Sequence, residues 1–358
     1  MATRGSLLRL ARHLRGFTQK TSAERLGVAQ AVYSRLENDL VEVDDAFVAK
    51  AASIFDLPAD FFDLKDTVYG PPVSVHAMLR GNSQVTARDV DMITAELNLR
   101  LVHLRRFLEN VDLNCSIDIP RLDVEQYESP AEIADTVRRH WQIPSGPIKN
   151  LTRLLERGGA IIGYSDFGGA GVSGVTFSAP GQPPLILLNP SHPADRVRFT
   201  LAHELGHMVM HRFPTPAMEE EANHFASVFL FPRRDLRNAL RGRKVNLATI
   251  AALKPEWKVS VQGILYAAQR EEIVSRNQAR YLWAQISSKG WKTMEPPSLD
   301  FEHDRPSVLP TIIKAHLDDL GFEKAEVLRM TRVHEHEFER LYPFSGDSPT
   351  RPRLRIVN

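Results

Sequence analysis

At 358 residues the chain exceeds what one hydrophobic core usually serves, so two or three folded units are expected; 43% apolar and 25% charged residues exclude disorder along its whole length. Its 45 basic residues stand against 44 acidic ones, a net charge of +1, which excludes bulk attraction to nucleic acid or an anionic membrane and leaves only local patches for such contacts. A single cysteine, Cys115, excludes an internal disulfide framework and a multi-cysteine zinc ribbon, so any metal must rest on histidine and carboxylate.

Residues 1–16 alternate arginine with leucine in the manner of an amphipathic helix and lack the apolar run of a signal peptide. No stretch reaches the roughly 20 apolar residues that span a bilayer. The cytoplasm is the expected location, with no membrane partner.

Residues 1–66 carry short apolar stripes at helical spacing: Leu7, Leu8, Ala11 and Leu14; Ala23 and Leu26; Val32, Tyr33 and Leu36; Phe47, Val48, Ala51, Ile54 and Phe55. This predicts a small all-helical bundle, closed by Tyr69-Gly70-Pro71-Pro72. Within it Thr18 and Gln19 suit a helix start, Gly27 a turn, and residues 30–38 the second helix of a helix-turn-helix.

Residues 67–128 form a linker whose main feature is a long helix over 86–113, with Val90, Ile93, Leu97, Leu101, Leu104, Leu108 and Val111 on one stripe. The stripe either packs on the next domain or forms the seam of a homodimer. Residues 129–294 follow as a further domain. Ser129-Pro130 opens a helix through Trp141, another near 149–156 is closed by Gly158-Gly159, and β-rich runs at 160–164, 172–177 and 185–188 predict a small, mostly antiparallel sheet. Residues 295–358 are a C-terminal segment with helical patterns at 308–320, 327–330 and 338–341. It carries no chemical motif, is read as a subdomain covering its neighbour or sensing a signal, and ends in a loose basic tail over 345–358. The expected fold class is α+β, mainly helical.

Chemistry concentrates at residues 196–211, RVRFTLAHELGHMVMH. On a helix Leu201, Ala202, Leu205, Met208 and Val209 gather on one side and His203 and His207 on the other. The i, i+4 spacing brings two imidazoles within reach of one ion at about 2.0–2.1 Å, with Glu204 beside them. This His-Glu-x-x-His pattern is the zinc-peptidase motif: histidines as ligands of one Zn2+, Glu204 as general base. Gly206 leaves a thin side for a neighbouring helix to approach.

A third ligand is required, and the helix over 218–231 offers Glu219, Glu220 and Glu221. With Ala222, Phe225, Ala226, Phe229 and Leu230 inward, Glu220 points away, while Glu219 and Glu221 lie on the two edges. Asn223, one turn beyond Glu219, is placed to hydrogen-bond and orient a ligand imidazole, which favours Glu219 and leaves Glu221 the alternative. His211 lies about 12 Å from His203 along the axis, too far to share its ion, and is read as structural. His224 is expected to be exposed, and His334 and His336 to sit on a solvated helix face.

At these residues the chain resembles the ImmA/IrrE family of zinc peptidases, on the helix R-F-T-L-A-H-E-L-G-H at 198–207, the following E-x-x-A-N-x-F-A at 219–226 stopped by Pro232, and R-x-x-W-x-I-P-x-G-P-I-x-N-L at 138–151. The resemblance runs from about residue 129 to 294. It implies a gluzincin-like fold with Glu219 as third ligand, and an endopeptidase that cleaves a partner regulatory protein, often a repressor, in a stress, mobile-element or defence response. The N-terminal bundle resembles the Xre/Cro-type helix-turn-helix family. That resemblance implies that Gln30, Ala31 and Ser34 face the DNA major groove while Gln19, Arg35 and Lys20 meet phosphates. Ser22, Ala29 and Tyr33 depart from that family's pattern, and docking of a protein partner is the alternative use of the bundle. The alternatives to a peptidase are a transcriptional regulator whose metal domain only senses, or a toxin-like defence factor.

Overall fold

The computed structural model describes residues 1–72, 85–113, 115–343 and 354–356. The chain starts with α1 (Arg4–Leu14), α2 (Gln19–Leu26), α3 (Gln30–Glu37) and α4 (Asp45–Phe55), followed by a 3-10 turn at Ala59–Asp63. Local chemistry sets these boundaries. The hydroxyl of Thr18 caps α2 by accepting from the Thr21 amide, Gly27 ends it in the left-handed region at φ 71°, and Asp44 caps α4 through the Phe47 amide. Tyr33 and Leu36 are buried, whereas Val32 of the same expected stripe is 43% exposed, because α3 packs on α1 and α2 and leaves its outer face open.

The long helix, α5 (Ala87–Phe107), opens on a capping box in which Thr86 and Asp89 exchange hydrogen bonds. It is shorter than its apolar pattern: Leu108 is its C-cap, and Val111–Leu113 form strand β1. Its stripe is covered within the chain, by α1 on one side and by the C-terminal helices and the sheet on others. Next come α6 (Pro130–His140), α7 (Leu151–Arg157), β2 (Ile161–Tyr164), β3 (Gly174–Phe177) and β4 (Leu185–Leu188). The sheet order is β2-β4-β3 with β4 in the centre. It is mixed: β4 runs antiparallel to β3 but parallel to β2.

Helices α8 (Ala194–Met210), α9 (Met218–Leu230), α10 (Arg233–Leu240), α11 (Leu247–Ala251), α12 (Lys254–Trp257), α13 (Val261–Arg270) and α14 (Arg276–Ser288) complete the middle of the chain. The C-terminal segment holds α15 (Val308–Asp318), α16 (Lys324–Thr331), α17 (Glu335–Leu341) and strand β5 (Leu354–Ile356), which pairs antiparallel with β1. Apart from that strand, the expected basic tail over 345–358 lies outside the described residues.

Two hydrophobic cores meet at the sheet. Ile161, Val175, Phe177, Leu185 and Leu187 face a first core shared with α1–α5 and α15–α17; Ile162, Ile186 and Leu188 face a second built from α6–α14. The period-2 alternation of a strand sends neighbouring residues to opposite cores. The C-terminal helices therefore pack with the N-terminal bundle and α5 rather than standing alone. Arg100 of α5 donates to Leu341 O at 2.9 Å and to Tyr164 O at 2.8 Å, Arg15 pairs with Glu337 at 3.1 Å, and His336 meets Asp56 at 2.9 Å. His334 and His336 are exposed, as their acidic surroundings imply.

Candidate metal centre

The site is built where α9 crosses α8. At Gly206 a Cβ would lie 3.1 Å from Phe225 Cδ1 and 3.3 Å from Ala222 Cα, so a side chain there would require α9 to give by a few tenths of an ångström, and glycine permits the close crossing. The connection over 211–217, with Pro214 and Pro216, turns the chain back within that short span. Glu219 is thereby brought over the histidines in the first turn of α9.

The donor atoms converge. His203 Nε2 and His207 Nε2 are 2.9 Å apart, and the Glu219 carboxylate lies 3.5 Å from the first and 3.2 Å from the second. Among the described residues this trio is the group of His, Cys, Asp or Glu side chains arranged to hold one ion. Tetrahedral bonds of about 2.0–2.1 Å place neighbouring donors roughly 3.3–3.4 Å apart, and the observed edges bracket that distance.

The outward ring nitrogens carry a second argument for a cation. His211 Nε2 meets Glu221 at 2.9 Å; a carboxylate accepts only, so His211 donates there and turns the lone pair of its Nδ1 to His207 Nδ1, also at 2.9 Å. His207 must then donate from Nδ1, which leaves a lone pair on Nε2. His203 Nδ1 donates to Asn223 Oδ1 at 3.0 Å, with the same consequence at its Nε2. Two imidazole lone pairs facing each other at this distance need a shared cation, proton or metal.

The titration directions agree with that electrostatic picture. Burial disfavours the charged form of His203, but its hydrogen bond to Glu219 and the charges of Glu204 and Glu219 outweigh it and raise its pKa. Burial likewise works against ionised Glu219, yet the two imidazoles hold its carboxyl far below the usual carboxylate range.

Glu204 is 0% exposed, and neither carboxylate oxygen has a hydrogen-bond partner among the described residues. An unpaired buried carboxylate costs several kcal/mol, on the order of what a missing partner would return. It borders a cavity of about 290 Å³ whose other walls include His203, Asn223, Phe199 and Arg196 of the helices and the segment 171–174 leading into β3. A ligand entering this cleft meets Glu204 and His203 together.

Of the other sequence candidates, Glu220 is exposed and Glu221 is engaged by His211 rather than by the trio. His224 is buried at 6% exposure, contrary to expectation, because α13 covers the face of α9 opposite α8, and Arg270 donates to its Nδ1 at 3.0 Å. Burial and then the charges of Arg270 and Arg233 push its pKa down to about 4. The contact of His211 with His207 was not expected from the sequence, although their i, i+4 spacing was its signal. In the bundle, Gln30, Ala31 and Arg35 are exposed on α3 and Ser34 is half-buried. The side-chain amide of Gln19 donates to buried Glu37 at 2.8 Å, beside the Arg12–Glu37 pair, which leaves it a second N–H.

Residues 155–269 match the peptidase M78 family model, the IrrE N-terminal-like domain, and residues 8–62 match a helix-turn-helix family model. The chain therefore carries a peptidase-family domain and a DNA-binding-type module, as the resemblance implied. The matched stretch opens inside α7, although α6 also belongs physically to the second core, where Arg138 donates to Phe229 O at 2.7 Å. Comparison with curated proteins gave no match. No described helix is long and apolar enough to cross a membrane.

Proposed function

We propose that the chain is a zinc-dependent endopeptidase that cleaves a partner regulatory protein, with residues 129–294 as the catalytic domain and residues 1–66 as the module that brings it to DNA or to that partner. The observation that carries this reading is a buried Glu204, without a hydrogen-bond partner among the described residues, beside three converging donors, with Glu204 and His203 lining one cleft. His203, His207 and Glu219 would hold the ion, and Asn223 would fix the ring of His203. When bound, zinc would polarise the scissile carbonyl and make an attacking water more acidic.

The remaining chemistry belongs to side chains. Glu204, buried beside the cleft, takes the proton of the attacking water on a carboxylate oxygen and returns it to the nitrogen of the departing peptide. The imidazoles keep their lone pairs inward because Asn223 and His211 hold the opposite nitrogens as donors. The choice of a repressor as substrate, and of a stress or mobile-element setting, rests on the family resemblance.

The test is Glu204→Gln in the full chain. Metal analysis should find zinc retained, while cleavage of a co-expressed candidate repressor falls by roughly 10²–10⁴-fold. A Gln variant equal to the parent in cleavage and in every cellular readout would favour a metal-sensing regulator. Loss of zinc from the parent chain itself would end both.

A further inference from the structure

We propose that Arg196 forms an acid-recognising subsite of the cleft, so that the chain cuts proteins near an aspartate or glutamate. This rests on the peptidase reading and deepens it by naming a substrate class. Arg196, Thr200 and His203 with Glu204 follow one another at helical spacing along the face of α8 that floors the cleft, and all line the same cavity. The eight-residue step from Glu204 back to Arg196 is about 12 Å along the axis. An extended substrate covers that in about three to four residues. The acid is thus read a few positions from the scissile bond, on one side of it only.

The guanidinium has unused capacity. Its Nε and Nη2 both reach the single hydroxyl of Ser173, at 3.2 and 3.0 Å, and it forms no ion pair among the described residues. The other arginine of this turn, Arg198, is by contrast buried and paired with Asp304. Arg196 is exposed at its end of the cleft. Its neighbour Ser173 sits immediately before β3, the edge strand, whose Gly174 approaches Thr200 so closely that a Cβ there would lie 2.6 Å from Thr200 Cγ2. Ser173 holds the Nε–Nη2 edge of the guanidinium, so a substrate carboxylate would find the planar two-pronged donor of the Nη1–Nη2 edge already in place. At the opposite end buried Glu204 would repel the same carboxylate, so the charge pattern also orients the peptide.

The experiment uses the zinc-loaded full chain and a randomised synthetic peptide library, read by mass spectrometry in two arms. In the cleavage arm the parent should cut with about tenfold enrichment of Asp or Glu over Asn or Gln at one position, as expected for a partly exposed charged hydrogen bond. Arg196→Gln should reduce that to within about twofold, Arg196→Lys should keep part of it, and Arg196→Glu should invert it towards Lys and Arg, following the sign of the charge. In the binding arm Glu204→Gln should retain acidic peptides, and Glu204→Gln combined with Arg196→Gln should not. Cutting without acidic preference, or with a preference indifferent to Arg196, overturns the subsite and leaves the peptidase standing. Arg196-dependent retention with no cutting by the parent overturns the peptidase and leaves the subsite. Neither cutting nor retention overturns both.

Discussion

His211→Leu tests the hydrogen-bond relay that, under the proposed function, would prepare His207 as a zinc ligand. His211 is 8% exposed and stands between the Glu221 carboxylate and His207 Nδ1, each 2.9 Å away. Leucine fills similar space but removes the acceptor, so the buried Nδ1–H of His207 loses its partner, and its ring loses both its fixed tautomer and the electron density that the Glu221 charge passes inward. Outer partners of this kind are worth roughly tenfold to a hundredfold in metal affinity, which is about 1.4–2.8 kcal/mol. The assay is zinc competition against a chromophoric chelator, with Glu221→Gln alongside; that variant keeps an oxygen acceptor but loses the charge, and should fall between parent and His211→Leu. Because bound ion stabilises the fold in proportion to RT ln(1 + [L]/Kd), the zinc-induced rise in Tm should shrink in the same order. A zinc Kd for His211→Leu within twofold of the parent would refute the relay. Tight binding lost equally in His211→Leu and in a distant core variant would show that the effect came from folding.

Two further outcomes follow from buried charge. Burial first, and the nearby Arg100 charge second, push His103 down to about 3, while its Nδ1 meets Tyr342 Oη at 2.8 Å. An unfolded chain protonates this ring below about pH 6.5 and the folded chain does not, so stability is full above that pH and falls by about 1.4 kcal/mol per unit towards pH 3; between pH 7 and pH 5 the parent should lose about 2 kcal/mol more than His103→Gln in urea titrations, and equal losses would contradict the assignment. Lys254, with a side chain 2% exposed, bridges Asp195 and Glu295 at 2.8 Å each and so ties the N-terminus of α8 to that of α13, whose first amides Glu295 also accepts. Lys254→Met leaves two buried carboxylates without their cation and should cost about 3–5 kcal/mol, whereas adding Asp195→Asn and Glu295→Gln should recover most of the lost Tm; no recovery would mean the network is not the source.

What could be read from the chain alone was whatever repeats at short range. The stripe Leu201, Leu205, Met208 and its opposing His203 and His207 are a local matter of helical period, as is the cap Thr18. Three features lay beyond that reach. Leu185–Leu188 has no alternation because both faces of β4 are buried, so the strand was legible but the parallel pairing with β2 was not. His224 carries no sign that α13, forty residues on, would cover it. Glu219 and Glu221 lie on the two edges of the apolar face of α9; Asn223 already favoured Glu219, but that His211 would engage Glu221 depends on the crossing of α9 over Gly206.

The placement of α5 bears on how the bundle and the cleft act together. Gly16, in the turn between α1 and α2, would have a Cβ 2.8 Å from Met92 Sδ, and Gly168 would have one 2.8 Å from Met92 Cε. Both glycines hold positive φ, at 60° and 64°, where a side chain is strained, and a Cβ at either would also displace the end of the Met92 side chain. One residue of α5 thus fills the space between a turn of the bundle and the loop that continues into the cleft wall at 171–174. A little further along, Glu96 accepts from Ser165 Oγ at 2.9 Å, which pins the start of that loop. A flexible tether would only raise the local concentration of a substrate held by α3. A bundle sharing one core with α5 and the sheet is held in a set direction relative to the cleft; under the proposed function the face of α3 and the line of α8 from Arg196 to Glu204 would together restrict which segment of a bound partner could be cut.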